Sequence, residues 1–166
     1  VEKIRESWEK QKDIKNVMLF LQQYGVSTAY AAKIYRQYGK ESIDKVQDNP
    51  YRLADDIWGI GFKTADSIAN KMGYENNDLR RCKSGISYTL NELSNEGHVY
   101  AVEEQLIETA KKLLEADEEP IRQAVAEMIA SEDLIREDEA IYLPPFYHSE
   151  RGTAKKLLAL LQDQTP

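Results

Sequence analysis

The residues of this 166-residue chain best suited to bind a ligand form the run Trp58-Gly59-Ile60-Gly61-Phe62-Lys63-Thr64. Glycine permits positive φ and brings bare backbone close to a partner, and Ile60 between the two glycines can anchor the turn. A helix that begins at about Phe62 has first amides without internal acceptors, next to the positive end of its dipole. Such an end attracts phosphate, and Lys63 and Thr64 add an ammonium and a hydroxyl. This run therefore predicts a phosphate-binding turn.

A weaker copy of the same pattern precedes it, because residues 19–39 align with residues 53–73 at an offset of 34. The copy keeps the first glycine as Gly25, but Ser27 replaces the second glycine and is followed by Thr28. A period of 34 is also that of tetratricopeptide repeats, yet two copies are too few to bury a solenoid core. We expect the first copy to bind phosphate less well than the second.

The elements that must position these turns are helices, since apolar residues recur three and four positions apart along most of the chain. Helices are predicted at residues 2–23, 28–38, 41–47, 50–56, 62–72, 78–96, 103–116 and 119–131, with one more at 150–162. One strand pair is predicted, at residues 134–136 and 140–143. The predicted fold class is all-α with one β-hairpin, and the later helices with that hairpin have the order of a winged-helix domain.

The charge of the chain is distributed unevenly, although its formal net value is -7. Residues 1–83 contain 15 Lys plus Arg against 12 Asp plus Glu, whereas residues 84–166 contain 7 against 17. Because binding depends on the local field, an anion-binding site is expected in the first half. Additional phosphate contacts are predicted at the start of the helix after the second turn, at Arg80, Arg81 and Lys83. The alternative is that these three residues belong to a solvated face.

Several functional classes are disfavoured by composition. Cys82 is the single cysteine, so an internal disulfide, a zinc site and an iron–sulfur site are not expected. No apolar run approaches the roughly 18–20 residues of a membrane span, and residues 1–5 do not begin a signal peptide. We expect a cytoplasmic protein without a membrane partner. Among the tyrosines at helical spacing, most of which are expected in the core, Tyr30 is the best candidate for stacking on unpaired bases.

The second turn, with Ala65 and Ile68 after its glycines, resembles a helix-hairpin-helix motif, a DNA-backbone clamp that does not read sequence. Two copies resemble a tandem helix-hairpin-helix unit. The resemblance implies that backbone amides contact consecutive phosphates, which positions a protein without reading bases. The implied contact residues are Gly25, Ser27, Thr28, Gly59, Gly61 and Lys63. The alternative for each hairpin is that it packs helices or binds protein.

A closer resemblance covers most of the chain and includes the connector Asn49-Pro50-Tyr51-Arg52-Leu53. This region is similar to the helix-hairpin-helix region of RecD-like DNA helicases of superfamily 1. Asn49 is expected to cap a helix that begins at Pro50, with Tyr51 and Leu53 in the core. The resemblance implies a fragment of a parent with an ATP- and Mg-dependent motor that moves 5′ to 3′ and acts in DNA repair and recombination.

The chain itself is predicted to be non-catalytic and to bind no cofactor, because it contains no Gly-x-x-x-x-Gly-Lys-Ser/Thr sequence. The expected organisation is a tandem DNA-binding unit at residues 1–76, a helical, winged-helix-like subdomain at 77–146 and a helix toward the absent motor at 147–166. The expected partners are DNA near a single-strand to duplex junction and the motor domains of the parent.

Two alternatives from other classes remain. The second hairpin also resembles that of base-excision glycosylases, in which Asp78 would be the catalytic carboxylate, although its polar setting favours an N-cap. The chain could instead be a protein-interaction module. The acidic second half is expected to face protein, since carboxylates around Arg122 would repel phosphate.

Overall fold

The computed structural model describes residues 1–148, and the chain forms two compact units that meet between Glu75 and Asn76. Both units are mainly helical, and the second also contains a small antiparallel sheet. The predicted all-α class with a β-hairpin is therefore confirmed. The helix predicted at 150–162 lies outside the described residues, as does nearly all of the segment assigned to the motor connection.

The first unit consists of helices that follow the predicted bounds closely. In chain order they are α1 (Glu2–Gln23), α2 (Thr28–Tyr38), a 3-10 turn (Gly39–Glu41), α3 (Ser42–Asp48), α4 (Arg52–Asp56) and α5 (Phe62–Lys71).

The repeat seen in the sequence is present in the backbone of this unit. We call residues 24–27, between α1 and α2, hairpin 1, and residues 57–61, between α4 and α5, hairpin 2. Gly25 and Gly59 occupy equivalent positions with φ of 79° and 95°. These values lie in the left-handed region, where glycine has no steric cost. The two hairpins therefore share one backbone requirement at their first glycine.

Aliphatic residues at the centre of each hairpin hold it to the core. Val26 is 6% exposed and Ile60 is 3% exposed, so the predicted inward anchor at Ile60 is confirmed. The connector differs in part from the expectation, because Asn49 Oδ1 accepts from the Tyr51 amide at 3.0 Å but does not cap α4, whose N-cap residue is Tyr51. Tyr51 and Leu53 are buried, although α4 itself begins at Arg52, after a turn.

The second unit has the element order of a winged helix. It contains α6 (Leu79–Asn95), β1 (Ala101–Val102), α7 (Glu103–Leu114), α8 (Glu118–Ala130), β2 (Ile135–Glu137) and β3 (Ala140–Tyr142). The sheet order is β1-β3-β2, and both pairings are antiparallel.

The expectation of a single strand pair was incomplete, because β1 adds a third strand. Ala101 pairs with Ile141, and Val102 with Ala140. A strand of two residues has no alternation that a sequence pattern could reveal. None of the helices in residues 1–148 is both long and apolar enough to cross a membrane.

Candidate nucleic-acid interface

The start of α5 is open to an external acceptor. Gly61 is its N-cap residue, and no side chain caps the helix. The first intrahelical bond runs from the Ala65 amide to the Gly61 carbonyl, at 3.1 Å. The amides of residues 61–64 therefore precede any intrahelical acceptor and add to the positive end of the helix dipole. Lys63 and Thr64 are both exposed in this first turn.

Neither the backbone conformation nor the packing of the first unit explains why residue 61 is a glycine. Its φ of -97° and ψ of -178° describe extended backbone that any residue can adopt. A Cβ built at this position would meet no atom within 4 Å. The missing side chain therefore serves neither backbone conformation nor internal packing. It leaves room for a group from outside to approach the amides of α5.

The turn that precedes Gly61 is fixed by α2. The Ile60 amide donates to the Ile57 carbonyl at 3.2 Å, which closes a four-residue turn with Gly59 in its third position. The Tyr30 hydroxyl donates to the Gly59 carbonyl at 3.1 Å, and Lys33 Nζ donates to the Trp58 carbonyl at 3.5 Å. Because N–H and C=O point in opposite directions across a trans peptide, the Gly59 amide points away from Lys33.

In hairpin 1, a side chain of the protein already occupies part of the position that an anion would take. The Ser27 hydroxyl accepts from the Tyr30 amide at 3.3 Å, so the side chain that replaces the second glycine caps α2. Gly25 lies beneath Lys71, whose Nζ would collide with any Cβ at that position. A neighbouring position, Thr28, is exposed, and its hydroxyl accepts from Gln22 Nε2 at 3.5 Å.

Residues from both hairpins line one groove with a volume of about 340 Å³. Gly25 and Ser27 contribute to it from hairpin 1, and Lys63 and Thr64 from the first turn of α5. The structure therefore brings four of the predicted site residues together. Gly59 and Gly61 flank Ile60, which is also part of the groove wall.

The three basic residues after the second hairpin lie in the second unit and have partners there. Arg80 pairs with Asp78, with Nη2 2.9 Å from Oδ2, and Lys83 Nζ lies 2.9 Å from Glu127. Arg81 is only 6% exposed, and its Nη1 donates to the Leu114 carbonyl at 2.7 Å. A phosphate contact predicted at Arg81 is thus incompatible with its buried, structural role.

Asp78 is the N-cap of α6. Its carboxylate accepts from the Arg80 amide at 2.9 Å, and the hydrogen bond from the Arg80 side chain lowers the pKa of Asp78. A carboxylate that holds a helix start and an arginine serves the fold. The N-cap interpretation is confirmed.

Carboxylates also surround the one basic residue of α8. Arg122 donates to both oxygens of Glu104, at 3.0 and 2.8 Å, and to Glu118 at 3.0 Å. These bonds raise the pKa of Arg122 and lower that of Glu104. The guanidinium charge is therefore balanced within the second unit.

Three residues at the hairpins received no individual role from the sequence. Lys33 and Lys71 place ammonium groups beside hairpin 2 and hairpin 1 respectively, and Trp58 is 89% exposed at the turn of hairpin 2. The lysines act across the repeat, from the helix of the other copy, so no local pattern marks them. The only signal for Trp58 was a tryptophan beside a turn glycine.

Comparison with known proteins agrees with this architecture. The sequence profile of the family described as "ATP-dependent RecD2 DNA helicase HHH domain" matches residues 10–100. The chain is also 24% identical, over 180 aligned residues, to the ATP-dependent RecD2 DNA helicase of Deinococcus radiodurans. That alignment covers 96% of this chain but only 24% of the relative, so the chain spans about a quarter of the relative's length.

Proposed function

Because the chain belongs to the ATP-dependent RecD2 DNA helicase HHH domain family, we propose that its first unit binds the DNA backbone without reading bases. Hairpin 2 is the principal contact, with the amides at the start of α5 and the Lys63 ammonium directed to one phosphate. Hairpin 1, with Lys71 above Gly25, lies on the same groove and contacts a neighbouring phosphate more weakly.

The observation that carries this proposal is the uncapped start of α5 at Gly61. An open helix N-terminus, an exposed lysine in its first turn and a glycine without an internal reason together form an anion site. The contacts involve backbone amides and one ammonium, so they recognise phosphate and carry no sequence information. With few cations at the site, binding should be weak and sensitive to salt.

In a longer chain with a motor, this unit would hold the strands near a single-strand to duplex junction while the motor moves 5′ to 3′. The contribution of ATP and Mg would belong to that motor, since the present sequence has no phosphate loop of the Walker type. A role in DNA repair and recombination, in the cytoplasm, is part of the same proposal.

The second unit is proposed to face protein, with the motor domains as partner. Its charge supports this, because the arginine of α8 is already bound by two carboxylates. Acidic groups at this helix would repel the phosphate backbone. Exchanging Glu104 and Glu118 for glutamine should therefore leave DNA affinity unchanged or slightly higher.

The test is a fluorescence-anisotropy titration of the chain into labelled forked DNA at low salt. Gly61→Glu combined with Lys63→Glu should abolish binding, and binding by the native chain should weaken as salt is raised. The matched control is Gln105→Glu with Lys112→Glu, which makes the same charge change at exposed positions of α7.

Equal loss in both double variants would mean that net charge, and not hairpin 2, governs affinity. Binding that survives the hairpin 2 substitutions would place the DNA contact elsewhere. Absence of binding by the native chain would favour the protein-docking alternative.

A further inference from the structure

We propose that Trp58 is a stacking platform for an unpaired nucleobase of DNA held by hairpin 2. The ligand class is single-stranded DNA of any sequence, or the unpaired strand at a fork. The inference rests on the proposed function, because the hairpin must hold the strand for the base to reach the ring.

The exposure of Trp58 has no structural explanation within the first unit. The side chain is 89% exposed, whereas Ile57 and Ile60, the end residues of the same turn, are 5% and 3% exposed. Trp58 occupies the second position of that turn, and its ring lies outside the core that its neighbours help to form. Tryptophan carries a large apolar surface that proteins usually bury at least in part, so an open ring indicates a binding surface.

The Trp58 ring contacts a cation instead of packing in the core. Lys33 Nζ lies 5.5 Å from the centre of the Trp58 ring and donates to the carbonyl of the same residue at 3.5 Å. The same ammonium lies 5.6 Å from the ring centre of Tyr30. These contacts are within the range of cation–π attraction. An aromatic face beside a positive charge is complementary to a nucleotide, which joins a flat base to an anionic phosphate.

Trp58 lies near enough to the phosphate site in sequence for one DNA strand to contact both. Only Gly59 and Ile60 separate Trp58 from Gly61, the N-cap of α5, and the turn is held by Tyr30 and Lys33. A strand whose phosphate lies on the α5 amides therefore passes beside the ring. Every base has a π face, so such stacking tolerates any sequence.

Stacking of this kind requires a base that is free of its helix. In a continuous duplex both faces of a base are covered by its neighbours, so the ring gains little there. Tyr30, the residue that sequence reasoning favoured for stacking, is half-buried and uses its hydroxyl to hold Gly59. Trp58 should thus give hairpin 2 a preference for unpaired strands that phosphate contacts alone do not provide.

The test uses the two tryptophans as separate reporters. In the Trp8→Phe variant the remaining tryptophan is Trp58, and its fluorescence should be quenched on titration with an oligothymidylate. In the Trp58→Phe variant the remaining reporter is Trp8, which is 63% exposed on α1 and has its own lysine contact, with Lys12. Its fluorescence should not respond, which makes Trp8 a matched control.

Affinity measurements complete the test. Trp58→Ala should weaken oligothymidylate binding about tenfold, in the lower half of the range for loss of one stacked base, with Trp58→Phe intermediate. The slope of log affinity against log salt should stay as in the native chain, because no phosphate contact is removed. Trp8→Ala should have no effect on affinity, and equal urea midpoints would show that the variants are folded.

The outcomes separate this inference from the proposed function. If Trp58→Ala binds like the native chain while Gly61→Glu with Lys63→Glu does not bind, stacking is wrong and the phosphate clamp stands. An equal loss for fully duplex DNA would also overturn stacking, since it needs an unpaired base. If the native chain binds neither forked DNA nor oligothymidylate, the proposed function fails and the stacking inference fails with it.

Discussion

The two hairpins of the first unit have the same backbone plan and different exposed chemistry. Each has a left-handed glycine, at φ of 79° in Gly25 and 95° in Gly59, and a buried aliphatic residue after it. At the next equivalent position, hairpin 1 has Ser27, whose side chain caps α2, and hairpin 2 has Gly61, the N-cap residue of α5, which has no side chain that could do so. The repeat therefore preserves the turn, while one residue decides whether the helix start is satisfied internally or left open.

The residue at this position affects the stability of the helix and its ability to bind an anion in opposite directions. A serine N-cap satisfies one amide of the helix and stabilises it by about 1 kcal/mol, but it occupies a place that an anion would take. Glycine at the same place costs only roughly a few tenths of a kcal/mol relative to serine, and it leaves the amides for a partner. Hairpin 1 should therefore contribute more to folding, and hairpin 2 more to DNA binding.

The largest expected effect comes from placing a carboxylate at the equivalent residues of the two hairpins. Gly61→Glu should weaken forked-DNA binding ten- to hundredfold, because the new charge lies beside the open amides of α5. Ser27→Glu adds the same charge at a site that is already capped, and should weaken binding by less than about threefold. Anisotropy titrations at one low salt concentration compare the two. Equal losses would contradict the asymmetry between the hairpins.

The second prediction concerns the two glycines of hairpin 2. Gly59→Ala should lower the free energy of unfolding by about 1–2 kcal/mol, because its φ of 95° strains any L-residue. Gly61→Ala should change stability little, since its backbone is extended, its Cβ meets open space, and the loss of an N-cap glycine offsets the reduced entropy of the unfolded chain. Urea unfolding measures both. A large loss of stability in Gly61→Ala would mean that this glycine has a structural role after all.

The third prediction compares a neutral cap with a charged one. Ser27→Ala and Asp78→Ala should each cost about 1 kcal/mol of unfolding free energy at neutral pH. The pKa of Asp78 is lowered in the folded chain, so its stabilisation is present above the unfolded pKa of about 3.9 and is lost as pH falls through the folded value. The Asp78→Ala deficit should shrink below about pH 4, and the Ser27→Ala deficit should not. Unfolding curves at several pH values check this, and parallel behaviour of the two variants would refute it.

The smallest expected effect concerns the lysine that distinguishes the two copies. Lys63→Ala should reduce the magnitude of the salt slope of DNA binding by about one, the amount expected for one lost phosphate contact. Ala29 aligns with Lys63 in the repeat, so Ala29→Lys should increase that slope by a similar amount if hairpin 1 also faces a phosphate. An unchanged slope in Ala29→Lys would limit the interface to hairpin 2.

Much of this arrangement could be predicted from local sequence. The helix bounds follow from apolar periodicity, and the inward side chain of Ile60 and the cap at Asp78 follow from residue type at a turn or helix start. The repeat was detectable because glycine, aliphatic and small residues recur at an offset of 34. These features depend on neighbours within a few residues, which the sequence displays directly.

Other features depend on packing between distant segments and left no local pattern. Lys33 and Tyr30 hold hairpin 2 from a helix about 25 to 30 residues away in sequence, and Lys71 covers Gly25 across the repeat. Arg81 looked like an exposed phosphate ligand because its neighbours are basic, but it is buried against the Leu114 carbonyl, 33 positions later. A charge pattern cannot tell such a buried guanidinium from an exposed one.

Binding of DNA to the open amides at the start of α5 can be tested by an NMR titration of the ¹⁵N-labelled chain with forked DNA, which observes each backbone amide separately. The amides of Gly61, Lys63 and Thr64 should show the largest shift changes, and they should saturate together. The Tyr30 amide, already bonded to Ser27, should change little. Shifts confined to the start of α2 or to the second unit, with the α5 amides unmoved, would show that DNA does not bind at the start of α5.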